Sequence, residues 1–446
     1  MGIKKIFGSV AFVLTAFCAT TISQGTCEAA PGQILIDLVD AANLPSVAKQ
    51  YGLEPAPIDQ FGVPATFRMR VRSDNTQTPC AIKAAMQSDA RLLKSEVNRK
   101  LSVFEREGLP WTLGRSWAIG RSWAIGGSTK GYNTQWFPGT IRLPAAHAIN
   151  KGTRTDNGRP IVVAVLDTGI DLTHPIFAGR LVPGYDFVTG DDDPSEEGVL
   201  RLNPVYGHGT HVAGIVALTA PDVKIMPIRV LDADGVGELW RVTAAIIWAA
   251  NHGADVVNIS FGYNEQPELL KNLLHNCDVP PPGTQTFPEL NGNRLIVLSG
   301  AGNGGNGDEI YPAGFRIDPQ LGVGASTRID TLATFSTMSV GRSGGGRFIR
   351  AVAPGEEIIS AIPGGRFGSW SGTSMAAPVA AGVAALVKAQ FPNLTPHEVV
   401  DRLAETGIQW DCTHPTRGPI KTNRIDAYCA LTGNMACGID ATACRQ

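Results

Sequence analysis

Three short stretches carry the residue types that nucleophilic hydrolysis requires. "VLDTGID" holds Asp167, "YGHGTHVAG" holds His208 and His211, and "GTSMAAPVAAGVAALV" holds Ser374. A serine hydroxyl is a poor nucleophile at neutral pH, so it needs an imidazole to take its proton. It also needs a carboxylate to hold that imidazole in the right tautomer and to steady its charge. A fourth stretch, "SGAGNGG", places Asn303 among glycines. Its side-chain amide and the backbone N–H of Ser374 at a helix start are a matched pair of donors for a developing oxyanion.

Each stretch has a rival explanation. Two histidines three apart share roughly one side of a helix, as metal ligands would, yet no neighbouring Glu and no third ligand block accompany them. The expectation is therefore that His208 is the base and His211 a packed, hydrogen-bonded support. An Asp-Thr-Gly also marks aspartic peptidases, but that chemistry needs two carboxylates sharing a proton, and this chain has one such tripeptide. Ser374 alone reads equally as a helix cap, and Asn303 alone as a turn residue. Taken jointly and in this order, the four favour a serine hydrolase.

Those residues need a scaffold that brings them together. "IVVAVL" is a β-branched run short enough for a strand buried on both faces, and "VKIMPIRVL", "ADVVNISF" and "NRLIVLSGAG" repeat the pattern. Helix-like stretches, "HGTHVAGIVALTA" and "ELWRVTAAIIWAANHG", alternate with them. The result is an α/β plan whose working residues sit beyond the C-terminal ends of parallel strands, where Asp167 and Asn303 fall.

The order Asp, His, Ser is one of three that the triad takes on unrelated folds. With "VAVLDTGIDLTHP", "HGTHVAGIVA", "VLSGAGNGG" and "SGTSMAAPVAAGVAAL" in that order, and "NRIDAY" closing the match, the segment from about Trp136 to Tyr428 resembles the subtilisin-like serine proteases, the subtilases. The resemblance implies a three-layer α/β fold, a mostly parallel central sheet flanked by helices. It implies a serine endopeptidase, a hydrolase of peptide bonds in proteins, with Asp167 as orienter, His208 as base and acid, Ser374 as nucleophile and Asn303 as oxyanion donor. The substrate chain would add as a strand between "DGVGE", with Gly235 and Gly237, and "SFG", with Ser260 to Gly262. Ala301 and Gly302 would wall the pocket for the residue before the cleaved bond. No cofactor is required for the catalysis.

The rest of the 446 residues fits around that centre. Residues 1–29 read as a signal peptide, a basic "MGIKK", an apolar "IFGSVAFVLTAFCA" and small residues at "CEA". The apolar stretch falls short of the roughly 20 residues that span a bilayer. Residues 30–107 mix strand patterns, "QILIDLV" and "TFRMRV", with helical spacing in "SVAKQYG" and "AIKAAMQSDARLLKSEV". By the resemblance this small α+β, ferredoxin-like unit is a propeptide that inhibits its own catalytic domain, making the protein an autoprocessed zymogen. Residues 108–135 hold the direct repeat "GRSWAIGRSWAIGG", suited to an exposed connector, and a mature N-terminus between Glu107 and Gln135 is expected. Residues 136–430 form the catalytic domain and 431–446 a cysteine-containing tail.

Composition narrows the partners. A net charge of −2 without long runs of one sign gives no footing for nucleic acid or an anionic membrane. Polypeptides are the expected substrates, for a secreted monomer, extracellular or periplasmic, with no membrane contact once the signal is cut. Cys412, Cys429, Cys437 and Cys444 crowd the tail and suggest two disulfides of unassigned connectivity, while Cys80 and Cys277 stand apart. Against the family pattern, Ile176 follows "THP" where calcium-dependent members carry Asp, and "VALTAPDVKI" lacks their calcium-loop insertion. A structural calcium near Asp191 and Asp193 in "TGDDDPSEEG" is the alternative weighed against a solvated loop. The pocket is open between an apolar preference from Ile310 and a basic one from Asp308 and Glu309, and the loop "PELLKNLLHNCDVPPPGTQTFPELNGN" is expected to shape the cleft.

Overall fold

The computed structural model describes residues 29–104, 129–200, 202–278, 280, 283–338, 348–414, 418–433 and 438–440. The expected signal peptide, the "GRSWAI" connector and the tail cysteines Cys437 and Cys444 lie outside these residues.

Residues 29–104 fold as strand, helix, two strands, helix, strand. Ala29–Leu38 lies between Leu92–Val103 and Thr66–Arg70, antiparallel to both, and Asp59–Phe61 forms the edge. Ile34, Ile36, Met69, Ile82 and Met86 close a small core between the sheet and the helices Leu44–Gln50 and Pro79–Met86. The ferredoxin-like expectation holds, with one correction. The helical spacing read from Ala81 through Val97 breaks at Met86. Asp89 takes its backbone N–H to the Met86 carbonyl and offers its own carbonyl to Leu92, and beyond that turn the chain runs extended to Val103. Glu96 to Arg99 are buried on both faces, and beyond them Leu101 and Val103 turn inward two residues apart.

The larger unit is built on a ten-stranded sheet among the described residues. Its parallel centre runs, in spatial order, Ile349–Pro354, Gln320–Ser326, Ile296–Gly300, Val256–Ile259, Val162–Asp167, Lys224–Arg229 and Tyr185–Asp186. Strand Val162–Asp167 shows why the sequence reads as a continuous apolar run. Val163 and Val165 pack on one face with helices His208–Thr219 and Thr373–Gln390. Ala164 and Leu166 pack on the other with Leu239–Asn251 and Glu268–His275. Each such valine or leucine gains roughly 1.5–3 kcal/mol over exposure, so neither face tolerates a polar residue.

The chain leaves Val162–Asp167 to one side, toward Lys224–Arg229, and returns to its other side at Val256–Ile259. A crevice opens at that reversal, beyond the C-terminal ends of the strands. Asp167 ends the central strand there, and Asn303 follows the end of Ile296–Gly300.

Candidate active site

Asp167 and His208 meet across the reversal. His208 is the first residue of its helix, entered through Gly207 in the left-handed region at φ 89°. The Nδ1 of His208 lies 2.7 Å from Asp167 Oδ1, and both side chains are enclosed. The Thr168 backbone N–H donates to the same carboxylate oxygen at 2.8 Å. Such an approach leaves no room beside it: a Cβ on Gly209 would stand 2.1 Å from the Gly169 carbonyl oxygen and 3.0 Å from Asp167 Cβ.

Ser374 is the second residue of the 18-residue helix Thr373–Gln390. Its Oγ donates to the Ser260 carbonyl at 3.0 Å, and Ser260 Oγ donates back to the Ser374 carbonyl at 3.0 Å. That return bond has a cause four residues on. Pro378 sits inside the helix and has no N–H for the Ser374 carbonyl, and the Ser260 hydroxyl, itself held by Asn258 Nδ2 at 2.9 Å, fills the role. The proline is thus one turn deeper than a first-turn position, and its cost is met by Ser260.

Asn303 is oriented from the same helix. Its Oδ1 accepts from Thr373 N at 2.9 Å and Thr373 Oγ1 at 3.0 Å, and Thr373 Oγ1 accepts from Gly302 N at 3.0 Å. With the oxygen committed to the residue before Ser374, the amide nitrogen is the donor end of the side chain.

His211 serves a different purpose from His208. Its Nε2 bonds to the Ile358 and Gly368 carbonyls at 3.1 and 3.2 Å, and burial, with the nearby His208 second, pulls its pKa down to about 3. It is a neutral donor within the core. Trp370, which the sequence did not single out, stands edge-on to both rings at 5.3 and 5.5 Å. A metal reading of the pair loses one ligand nitrogen to Asp167 and another to backbone. Among the described residues, the cluster able to gather three ligand atoms is Asp318, His397 and Asp401. It lies at the other end of the sheet, where His397 is already shared between the two carboxylates at 3.0 and 3.2 Å and Arg350 pairs with Asp401.

The acidic stretch divides in two. Asp191 Oδ1 caps Asp193 N at 2.9 Å, and Asp193 Oδ1 caps Ser195 N at 3.2 Å, both exposed. Glu196, by contrast, turns its carboxylate inward. Oε1 accepts from Thr168 Oγ1 at 2.5 Å, and Oε2 accepts from Thr210 Oγ1 and N at 2.7 and 3.0 Å. It therefore ties the residue after Asp167 to the helix of His208, a link that sequence analysis missed because nothing in "DPSEEG" tells which acid turns inward.

Burial pushes the Glu196 carboxyl up to about 7, against the pull of its hydroxyl and amide partners. A folded-state value above the usual 4.5 means that its stabilising contribution is full below about pH 4.5 and is lost as pH rises through 7. In an inactive Ser374→Ala background, Glu196→Gln should flatten the fall in melting temperature across that window. Parallel curves for the two proteins would show that this carboxyl does not titrate there.

The residues expected to hold substrate are already engaged with residues 92–103. Gly237 pairs with Leu101, Gly262 with Ser102, and the Gly235 carbonyl accepts from Val103 N at 3.2 Å. Ser260 faces Ser374 as described, Ala301 is packed in a core, and Gly302 and Asn303 line a cleft of about 900 Å³. The loop expected to shape that cleft docks elsewhere: Val63 and Thr286 bridge their backbones, and Gln285 Nε2 donates to the Pro64 carbonyl at 2.7 Å.

Comparison with known proteins finds a family profile and relatives that this chain resembles. The profile described as "Subtilase family" matches residues 158–426. A thermophilic serine proteinase of Bacillus sp. (strain AK1) is 33% identical over 323 residues, 68% of this chain and 71% of its own. Thermitase of Thermoactinomyces vulgaris is 32% identical over 313 residues, 67% of this chain and 95% of its own. Among solved structures, fervidolysin from Fervidobacterium pennivorans, described as a keratinolytic enzyme related to subtilisin, superposes with a TM-score of 0.64 at 23% identity. That match covers 92% of this chain and 62% of fervidolysin, and it speaks to fold alone.

Proposed function

From the premise that this chain belongs to the subtilase family and is a subtilisin-like serine endopeptidase, we propose that Asp167, His208 and Ser374 are its triad and Asn303 its oxyanion donor. The observation that carries this reading is the enclosed 2.7 Å contact between Asp167 and His208 Nδ1. It holds the proton on Nδ1 and leaves Nε2 as the basic nitrogen. Ser374 Oγ attacks the scissile carbonyl while His208 accepts its proton. The oxyanion meets the Asn303 amide and the Ser374 N–H at the head of the helix. His208 then delivers the proton to the departing amine, and water completes the second half by the same route.

The reading extends to a zymogen. Substrate would lie where residues 92–103 now lie, between Gly235 and Gly237 on one side and Ser260 to Gly262 on the other, beside Ala301 and Gly302. Support for an inhibitory propeptide comes from how it is fastened. Neither Leu239–Asn251 nor Glu268–His275 has a side-chain cap of its own. Asn98 Oδ1 accepts from Trp240 N at 3.0 Å, and Glu96 accepts from Glu268 N and Leu269 N at 3.2 and 3.3 Å. The small unit thus satisfies backbone donors that would otherwise lack partners. Secretion rests on the leader pattern, and a disulfide-bonded tail is supported by the bonded state of Cys429. Cys80 is bonded too, and Cys277 is a free, buried thiol. The protein acts on polypeptides as a monomer.

A serine-directed phosphonylating reagent should abolish peptidase activity and label Ser374, as read by mass spectrometry, while chelators leave turnover unchanged. Inhibition by chelation without labelling would favour a metallohydrolase instead. The same chelated sample settles the structural calcium at Asp191 and Asp193: a lowered melting temperature supports it, an unchanged one removes it.

A further inference from the structure

We infer that the chain cuts itself on the carboxyl side of Phe104, and that its pocket for the residue before the cleaved bond is built for an aromatic ring. This deepens the protease reading and rests on it. Strand Leu92–Val103 is paired antiparallel on both edges, Leu101 with Gly237 on one side and Val103 with Phe261 on the other. Carrying the second ladder one residue further sets Phe104 opposite Ser260, whose carbonyl accepts the Ser374 hydroxyl at 3.0 Å. The Phe104 carbonyl is therefore the one brought to the nucleophile.

The ring itself reports the pocket. Phe104 Cε1 lies 3.0 Å from where a Cβ on Gly262 would stand, and Cε2 lies 2.8 Å from the corresponding point on Gly300. Any side chain at either glycine would occupy the ring's space, so the slot between the two segments is flat and walled by backbone. Ile310 closes it, with Cγ2 2.5 Å from the same Gly262 point and Cγ1 2.8 Å from that on Gly302. The acidic alternative loses its force because the Glu309 carboxylate pairs with Arg316 and accepts from Tyr311 Oη at 2.9 Å, while Asp308 Oδ2 accepts from Asn306 Nδ2 at 2.6 Å. Upstream, Val103 packs beside Val205, and Leu101 beside Leu231. The pattern presented to the site is Leu-Ser-Val-Phe.

Ser374 Oγ bonds to the Phe104 carbonyl carbon, and the proton it gives up passes through His208 to the amide nitrogen of Glu105 as the C–N bond breaks. Water then cleaves the ester, leaving Phe104 as a carboxylate and Ser374 restored. The cut thus falls just before the Glu107 to Gln135 window expected from sequence, and the "GRSWAI" repeat stays with the mature enzyme.

The test follows purified precursor at early times. Intact mass should show a first-released propeptide ending at Phe104, and N-terminal sequencing should begin at Glu105; a first cut elsewhere overturns the inference. Among acyl-Leu-Ser-Val-X-p-nitroanilides, kcat/KM for X = Phe should exceed that for Lys or Asp by at least about tenfold. An equal or greater value for Lys or Asp overturns the aromatic pocket without reference to how any variant folds. Enzyme that hydrolyses peptides but processes at another bond sinks this inference alone, whereas absence of all hydrolysis sinks the protease reading beneath it.

Discussion

Ser374→Ala is expected to lower turnover by about a millionfold, the loss known for subtilisin, a member of the same family, and to leave the precursor uncut. The substitution removes the nucleophile and little else. The lost bond from Ser374 Oγ to the Ser260 carbonyl costs on the order of 1 kcal/mol. The return bond from Ser260 Oγ to the Ser374 carbonyl is untouched, so the helix keeps its place over the sheet. Full-length protein should accumulate with a wild-type circular dichroism spectrum. Purified Ser374→Ala precursor that converts at the wild-type rate would end the serine mechanism.

Asp167→Asn should slow precursor conversion by about 10⁴-fold while the fold survives. Oδ1 of Asp167 serves both His208 Nδ1 and Thr168 N. An asparagine that keeps its oxygen there has no charge to stabilise the imidazolium. One that flips offers NH₂ to Nδ1 and moves the imidazole proton to Nε2, where it blocks the base. Both outcomes are costly in a site closed to water, where few other groups can compensate. A loss smaller than about tenfold in the first-order conversion rate would remove Asp167 from the triad.

Ser374 was legible because a reactive hydroxyl in "GTSMAAP" at the head of an apolar helix is a local pattern, and so was His208 after Gly207. The small unit's last strand was not legible: "LLKSEV" has helical spacing, and only the turn at Asp89 and the edges of Val236–Glu238 and Phe261–Gly262 draw residues 92–103 into an extended strand. Glu196, one of five acids in "TGDDDPSEEG", and Ser260, as the partner of a carbonyl orphaned by Pro378, escaped for a related reason. Their roles depend on groups 14 and 114 positions away.

Residue chemistry and short-range periodicity were enough to propose the triad and the oxyanion amide and to read the α/β class, because each is written within about a dozen neighbouring residues and follows from backbone geometry. Which acid faces inward, how far the last strand of the small unit reaches and which side chain it leaves in the pocket are matters of register between segments far apart in the chain. A shift of one residue would turn every side chain of that strand to its other face. Hydrogen bonds across assembled edges set that register, and those edges exist after folding has brought the segments side by side.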